Sequence, residues 1–180
     1  NNKYGVPLSL LSINERDKFG ILEVGMDKKG EINFLSDIIK PDVGVITNIS
    51  FAHIKNFNNI SQIALAKGEI IDNINPNGCL VLNADDKFFN FHRELAYKRK
   101  IKILSFSQKK KNTNVHIKKV LKEKNKYKII IKIDNKKKYF YIRKNYNNFL
   151  YNLLASITIM HIYIDVFKLN KNLFLDLKTT

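Results

Sequence analysis

Residues 43–70 read VGVITNISFAHIKNFNNISQIALAKGEI, and this stretch restricts the fold more than any other. Val43 to Ile46 is a short β-branched run broken only by Gly44, which suits a strand buried on both faces of a parallel sheet. Thr47, Asn48 and Ser50 then make a polar loop, and His53 lies just beyond it. Ile60, Ile63, Ala64, Lys67, Ile70 and Ile71 recur at helical spacing, with Ser61 as the expected N-cap. A histidine thus falls in the loop after a buried strand. A lysine falls midway along the next helix, close to its apolar face. In open α/β sheets, ligands bind beyond the carboxyl ends of the strands. A loop histidine or a helix lysine is by itself most often solvated or structural. Lys67 stands out because a buried lysine is costly unless it is paired or chemically modified.

The same alternation runs through the first part of the chain. Asn1 to Ser12 turns from polar to helix-like, with Pro7 tolerated in the first turn. Phe19 to Val24 reads as a buried strand carrying Glu23 near its end. An acid there calls for a metal ion or a salt bridge, unless the strand lies at an exposed edge. Ile32–Ile39 is a helix stopped by Lys40 and Pro41, and Asn75–Gly78 is a turn. Cys79–Leu82 is a strand, Phe88–Lys98 a helix and Ile101–Phe106 a strand. This pace predicts an α/β fold, a three-layer doubly wound, mostly parallel sheet over residues 1–107.

The pattern changes at Gln108. Lys109, Lys110, Lys111 and Asn112 form a solvated link. Val115–Val120, Tyr127–Ile133 and Lys138–Ile142 then alternate apolar with polar residues, with Asp134 and Asn135 at a turn. Residues 108–144 are therefore expected to be an antiparallel meander with lysines on its wet face. That alternation puts Phe140 on the face opposite Tyr139 and Tyr141. Residues 145–180 are expected to be helical. The chief element is Phe149–Phe167, with Leu150, Leu153, Leu154, Ile157 and Ile164 in the core.

The net charge is +16, from 32 Lys+Arg against 16 Asp+Glu. That balance raises a polyanion such as nucleic acid. The basic residues of 98–144 are nearly all Lys, mixed with Asn, Ile and Tyr, which an AT-rich genome over-supplies. Charge is the sole support for a nucleic-acid partner. The single Cys79 excludes an internal disulfide framework, fits a reducing cytoplasm and most simply packs in the core. No run of about 18 apolar residues is present. The start lacks both an initiator Met and the order of a signal peptide, and it enters mid-pattern, so a fragment of something longer is expected. His92, His116 and His161 are expected to be structural or surface residues.

Five segments, NNKYGVPLSLL (1–11), ILEVGMDKKGEI (21–32), KPDVGVITNISFAHIKNF (40–57), ALAKGEI (64–70) and LNADD (82–86), resemble the Mur ligases of peptidoglycan synthesis. A weaker match, NFLYNLLA, covers 148–155. The pieces stand in the family's order at about its spacing. The second and third favour the branch that adds D-alanyl-D-alanine to UDP-N-acetylmuramoyl-tripeptide. The resemblance implies the central ATPase domain of a three-domain cytoplasmic ligase, expected to be monomeric, that uses ATP and Mg²⁺ to activate a carboxylate as an acyl phosphate. It implies that Glu23 and His53 hold metal and that Lys67 is a catalytic lysine, which siblings carry as a carbamate. It further implies that Asn152 contacts the adenine of ATP and that Asn1 and Asn2 lie near the nucleotide-sugar substrate.

The sequence also departs from the family. No Gly-Lys-Ser/Thr phosphate loop occurs in these residues, and it is expected upstream of Asn1, as the third domain is expected after Thr180. Tyr146-Asn147-Asn148 replaces the usual Gly-x-His near the adenine site, and Asp27-Lys28 replaces an Asn-His pair. Two other functions stay open. One is a sibling ligase with another amino acid substrate. The other is a non-catalytic basic module that binds RNA or another polyanion through 98–144.

Overall fold

The computed structural model describes residues 2–50, 56–143 and 147–177. In chain order the elements are α1 (Gly5–Leu11), α2 (Glu31–Ile39), β1 (Val43–Ile46), α3 (Ile60–Gly68), β2 (Cys79–Asn83), α4 (Phe89–Lys98) and β3 (Lys102–Ser107). They continue with β4 (Val115–Glu123), β5 (Lys126–Ile133), β6 (Lys136–Ile142) and α5 (Asn147–Tyr163). The six strands form one sheet in the order β1-β2-β3-β4-β5-β6. β1, β2 and β3 are joined through helices, the connection that parallel neighbours need. β3 pairs parallel with β4, Phe106 opposite Val115 and Ser107 opposite His116. β4–β5 and β5–β6 are antiparallel. The expected α/β sheet and its meander are both borne out. No helix among the described residues is long and apolar enough to cross a membrane.

The chain falls into two compact units, Asn1–Leu80 with Asn90–Lys102, and Val81–Phe89 with Ile103–Thr180. In the first, α2 buries Ile32, Leu35 and Ser36, and the Ser36 hydroxyl donates back to Ile32 O at 2.6 Å. Ile63, Ile71 and Leu80 fill the core of this unit, and Cys79 is buried as expected. The turn before β2 is tight. Asn75 Nδ2 donates to Lys40 O at 2.7 Å, and Cys79 N donates to Asp42 O at 2.9 Å. A Cβ on Gly78 would stand 2.6 Å from Asp42 O and 2.9 Å from Asn75 O, both backbone atoms. Gly78→Ala should therefore lower stability by about 1–3 kcal/mol, read as a shift of the denaturant midpoint. An unchanged midpoint would mean that the turn gives way freely.

In the second unit, Ile129, Ile131 and Ile133 alternate inward along β5 and are at most 1% exposed. Phe140 and Ile142 face the same way from β6. From α5 come Leu150, Leu153, Leu154 and Ile157. The chain after α5 covers the outer edge of β6. Tyr141 N donates to Lys171 O at 2.8 Å, and Lys138 Nζ donates to Phe167 O and Leu169 O at 2.6 and 2.7 Å. A strand edge closed in this way is no template for aggregation.

Four expectations need correction. Residues 19–26 carry no strand, and Ile21 is 95% exposed. Strand propensity is weak without a ladder to join, and the described sheet begins at β1. The N-cap of α3 is Asn59, whose Oδ1 accepts from Gln62 N at 3.0 Å, and Ser61 lies inside the helix. Ile164 is exposed because α5 ends at Tyr163, where Asp165 caps a 3₁₀ turn over Val166–Lys168. The helix expected to run on beyond 168 is replaced by turns as far as Asp176, where Asn170 and Asn172 accept from backbone N–H groups two or three residues on.

Candidate active site

β1 ends at Ile46 and releases the loop Thr47, Asn48, Ile49 and Ser50. α3 starts firmly. Asn59 caps Gln62 N, and Gln62 Oε1 reaches back to accept from Asn58 N at 3.0 Å, one residue before the cap. Lys67 lies in the last turn of α3, later than the expected mid-helix position. It is half-buried beside the buried Ala64, Ala66 and Gly68. Its Nζ donates to Asn48 O at 3.1 Å. The helix thus returns its amine to the loop at the carboxyl end of β1.

The C-terminal half of α3 is braced from below. His92, 1% exposed, puts Nε2 at 2.9 Å from Ala64 O. A Cβ on Gly68 would meet Leu95 and His92 at 3.2 and 3.3 Å. His92 is structural, as expected. Two carboxylates that the sequence did not single out shape the neighbouring loop. Glu69 accepts from Gly30 N at 2.8 and 3.1 Å and from Asn33 N at 3.1 Å, neutralising the start of α2. Glu31 Oε2 accepts from Asp27 N at 2.6 Å and Lys28 N at 3.1 Å. Those backbone donors hold its pKa below the usual carboxylate range. The signal for Glu69 was its place in ALAKGEI, two residues after Lys67.

Glu23 is exposed on the irregular segment 19–26, in the same unit as Lys67. His53 and Asn1 lie outside the described residues. Asn2 has a local task. Its Oδ1 accepts from Tyr4 N and Gly5 N at 3.1 and 2.9 Å, capping α1. Among the described residues no three His, Cys, Asp or Glu side chains gather as a metal cage. Mg²⁺ needs none, because it is commonly held by one or two carboxylates plus phosphate oxygens and water. An exposed Glu23 carboxylate fits that donor chemistry.

In the second unit Asn152 is exposed in the first half of α5. Its neighbour Tyr151 is half-buried, with its OH 3.2 Å from Asp85 Oδ2. Asp85 also accepts from Ser107 Oγ and Gln108 N, both at 2.7 Å. A cleft of about 460 Å³ at the far turn of the meander, lined by Glu123, Lys124, Asn125, Lys126, Arg143 and Leu175, contains none of the predicted site residues.

The meander's outer face is basic. Lys132 stands directly opposite both His116 and Lys137. Tyr139 and Tyr141 share this face, and Phe140 faces the core, as the alternation predicted. Lys128 lies 4.3 Å from the Tyr139 ring centroid and Lys126 lies 3.7 Å from that of Tyr141. These lysines occupy ring faces that a stacked base would need.

The model of the Mur ligase middle domain matches residues 1–160. The UDP-N-acetylmuramoyl-tripeptide–D-alanyl-D-alanine ligase of Buchnera aphidicola subsp. Acyrthosiphon pisum is 37% identical over 128 residues, which cover 65% of this chain and 27% of that protein. The chain spans about a quarter of the length of the curated relatives it matches. Crystal structure I of MurF from Acinetobacter baumannii superposes with a TM-score of 0.83 at 24% identity, covering 92% of this chain and 36% of that one. The MurF ligase from Thermotoga maritima, solved in complex with ADP, gives 0.81 at 25% identity over 100% of this chain and 40% of that one. With the family's model matched across 160 of its 180 residues, the chain belongs to the Mur ligase middle domain family.

Proposed function

We propose that the chain is the central, nucleotide-handling domain of a cytoplasmic ATP-dependent amide ligase that adds D-alanyl-D-alanine to UDP-N-acetylmuramoyl-tripeptide in peptidoglycan synthesis. The names of the relatives and the ADP bound to one structural neighbour support this function. The observation that carries it is the return of the Lys67 amine to the loop after β1. In the reaction a carboxylate oxygen of the tripeptide attacks the γ-phosphorus of ATP and ADP leaves. The amine of D-alanyl-D-alanine then attacks the acyl carbon, loses a proton and expels phosphate. The protein's task is to position these groups and neutralise their charge.

Glu23 and His53 would hold Mg²⁺, which supplies charge neutralisation at the phosphates. Asn152 would contact the adenine, and Asn1 and Asn2 would lie near the nucleotide-sugar peptide. Lys67 would act as its carbamate. Carbamylation replaces a cation with an oxygen-bearing anion but keeps one N–H on Nζ. That N–H can still donate to Asn48 O and aim the new oxygens away from the helix.

The full-length protein carrying this chain should release phosphate from ATP when the tripeptide nucleotide and D-alanyl-D-alanine are supplied together. Silence from a folded protein rejects the activity. Release with a different amino acid acceptor assigns a sibling ligase instead.

A further inference from the structure

The Asp85 carboxylate ties together three separate parts of the second unit. Its Oδ1 accepts from Ser107 Oγ at 2.7 Å. Its Oδ2 accepts from Gln108 N at 2.7 Å, Lys109 N at 3.3 Å and Tyr151 OH at 3.2 Å. The turn that presents Asp85 is itself held, because Asp85 N donates to Asn83 Oδ1 at 2.9 Å and Ala84 N donates to Phe106 O at 2.8 Å. The turn after β2, the loop after β3 and α5 thus meet at one charged group. Two of the stretches singled out in the sequence, LNADD and NFLYNLLA, come into contact here.

We propose that Asp85 is a positioning residue for nucleotide binding, which fixes the rotation of α5 through Tyr151 and so sets the direction of Asn152. This rests on the adenine role given to Asn152 above. Successive residues on a helix point about 100° apart, so a helix pinned at one side chain cannot turn the next without breaking the pin. Tyr151 is half-buried and Asn152 is exposed, so the pin lies inside and the presented amide lies outside. Three donors from Ser107, Gln108 and Lys109 hold the carboxylate in place, so the acceptor that Tyr151 meets is itself fixed, which is how a supporting shell preorganises a contact group. Burial first, and then the Asp85 charge and hydrogen bond, raise the Tyr151 pKa, so its phenol stays a proton donor to Asp85 at neutral pH.

The test uses the full-length protein and steady-state kinetics. Tyr151→Phe removes one oxygen and leaves the ring packed. It should raise KM for ATP about fivefold, the scale of one lost hydrogen bond. It should change kcat at saturating ATP by less than about twofold, and leave KM for D-alanyl-D-alanine unmoved. Asp85→Asn should shift the ATP KM in the same direction. The double variant Tyr151→Phe/Asn152→Ala should be no worse than Asn152→Ala alone, because the pin acts through Asn152. An unchanged ATP KM in Tyr151→Phe overturns the proposal, as does full additivity in the double variant. An unchanged ATP KM in Asn152→Ala overturns it too, by removing the adenine contact it serves. Acceptor-dependent phosphate release would still stand in each of those cases.

Discussion

Glu23→Ala in the full-length protein should lower turnover about a hundredfold or more, with His53→Ala behaving alike. Even groups that only orient a metal ligand cost about 10- to 100-fold when removed, and a ligand itself costs more. Mg²⁺ takes few protein ligands in phosphoryl-transfer sites, so loss of one carboxylate removes a large share of what the protein contributes. With Glu23 gone, a Mg²⁺ held here would keep His53 beside phosphate and water, too little to fix where the triphosphate sits. Folding should survive the change, because Glu23 is exposed and residues 19–26 contribute neither helix nor strand. The measurement is phosphate release across a Mg²⁺ titration, beside a thermal melt. Full activity in a folded Glu23→Ala protein rules out the metal role. Partial recovery at high Mg²⁺ agrees with a weakened site.

Much of the fold was legible because its signals are local. β1 falls on the four residues whose run of Val, Gly, Val and Ile announced it. The meander follows its alternation, down to Phe140 facing inward between two outward tyrosines. What the letters did not show depends on partners distant in sequence. Phe19 to Val24 has the composition of a strand, yet a strand exists only where a ladder takes it up. Ser61 and Asn59 are both good caps, and only the backbone entry of α3 decides between them. Ile164 fits the helical spacing of α5, but Asp165 closes a new turn one residue later.

The site was legible to a different depth. Lys67 was marked by its cost beside an apolar face, and the structure gives its amine a fixed acceptor in the β1 loop. Glu69 and Asp85 are not legible in this way because their partners lie 22 to 66 residues away in sequence. Neither residue interrupts a hydrophobic pattern, so periodicity has nothing to report about it. Asn2 caps α1, a task that short polar side chains perform wherever a helix begins, and its letter alone does not separate that task from a place near the substrate.

The largest loss of stability should come from Phe140→Ala, about 3–5 kcal/mol. Phe140 is 0% exposed and stands opposite Ile129 on the neighbouring strand. Its ring meets Phe174 edge-on, with centroids 5.0 Å apart and planes at 77°. Phe174 belongs to the chain that folds back after α5, so one ring fastens both the meander and the segment that closes its edge. Truncation would open a cavity that β5, with three inward isoleucines, cannot collapse to fill without moving a ladder. A domain holds only about 5–15 kcal/mol in all, so the variant should unfold at a much lower denaturant midpoint. Tyr139→Ala, on the outer face against Lys128, should cost about 1 kcal/mol. Equal losses at the two positions would mean that the alternation assigns the faces of β6 wrongly. A large gap between them would show that the meander is held chiefly from its inner side.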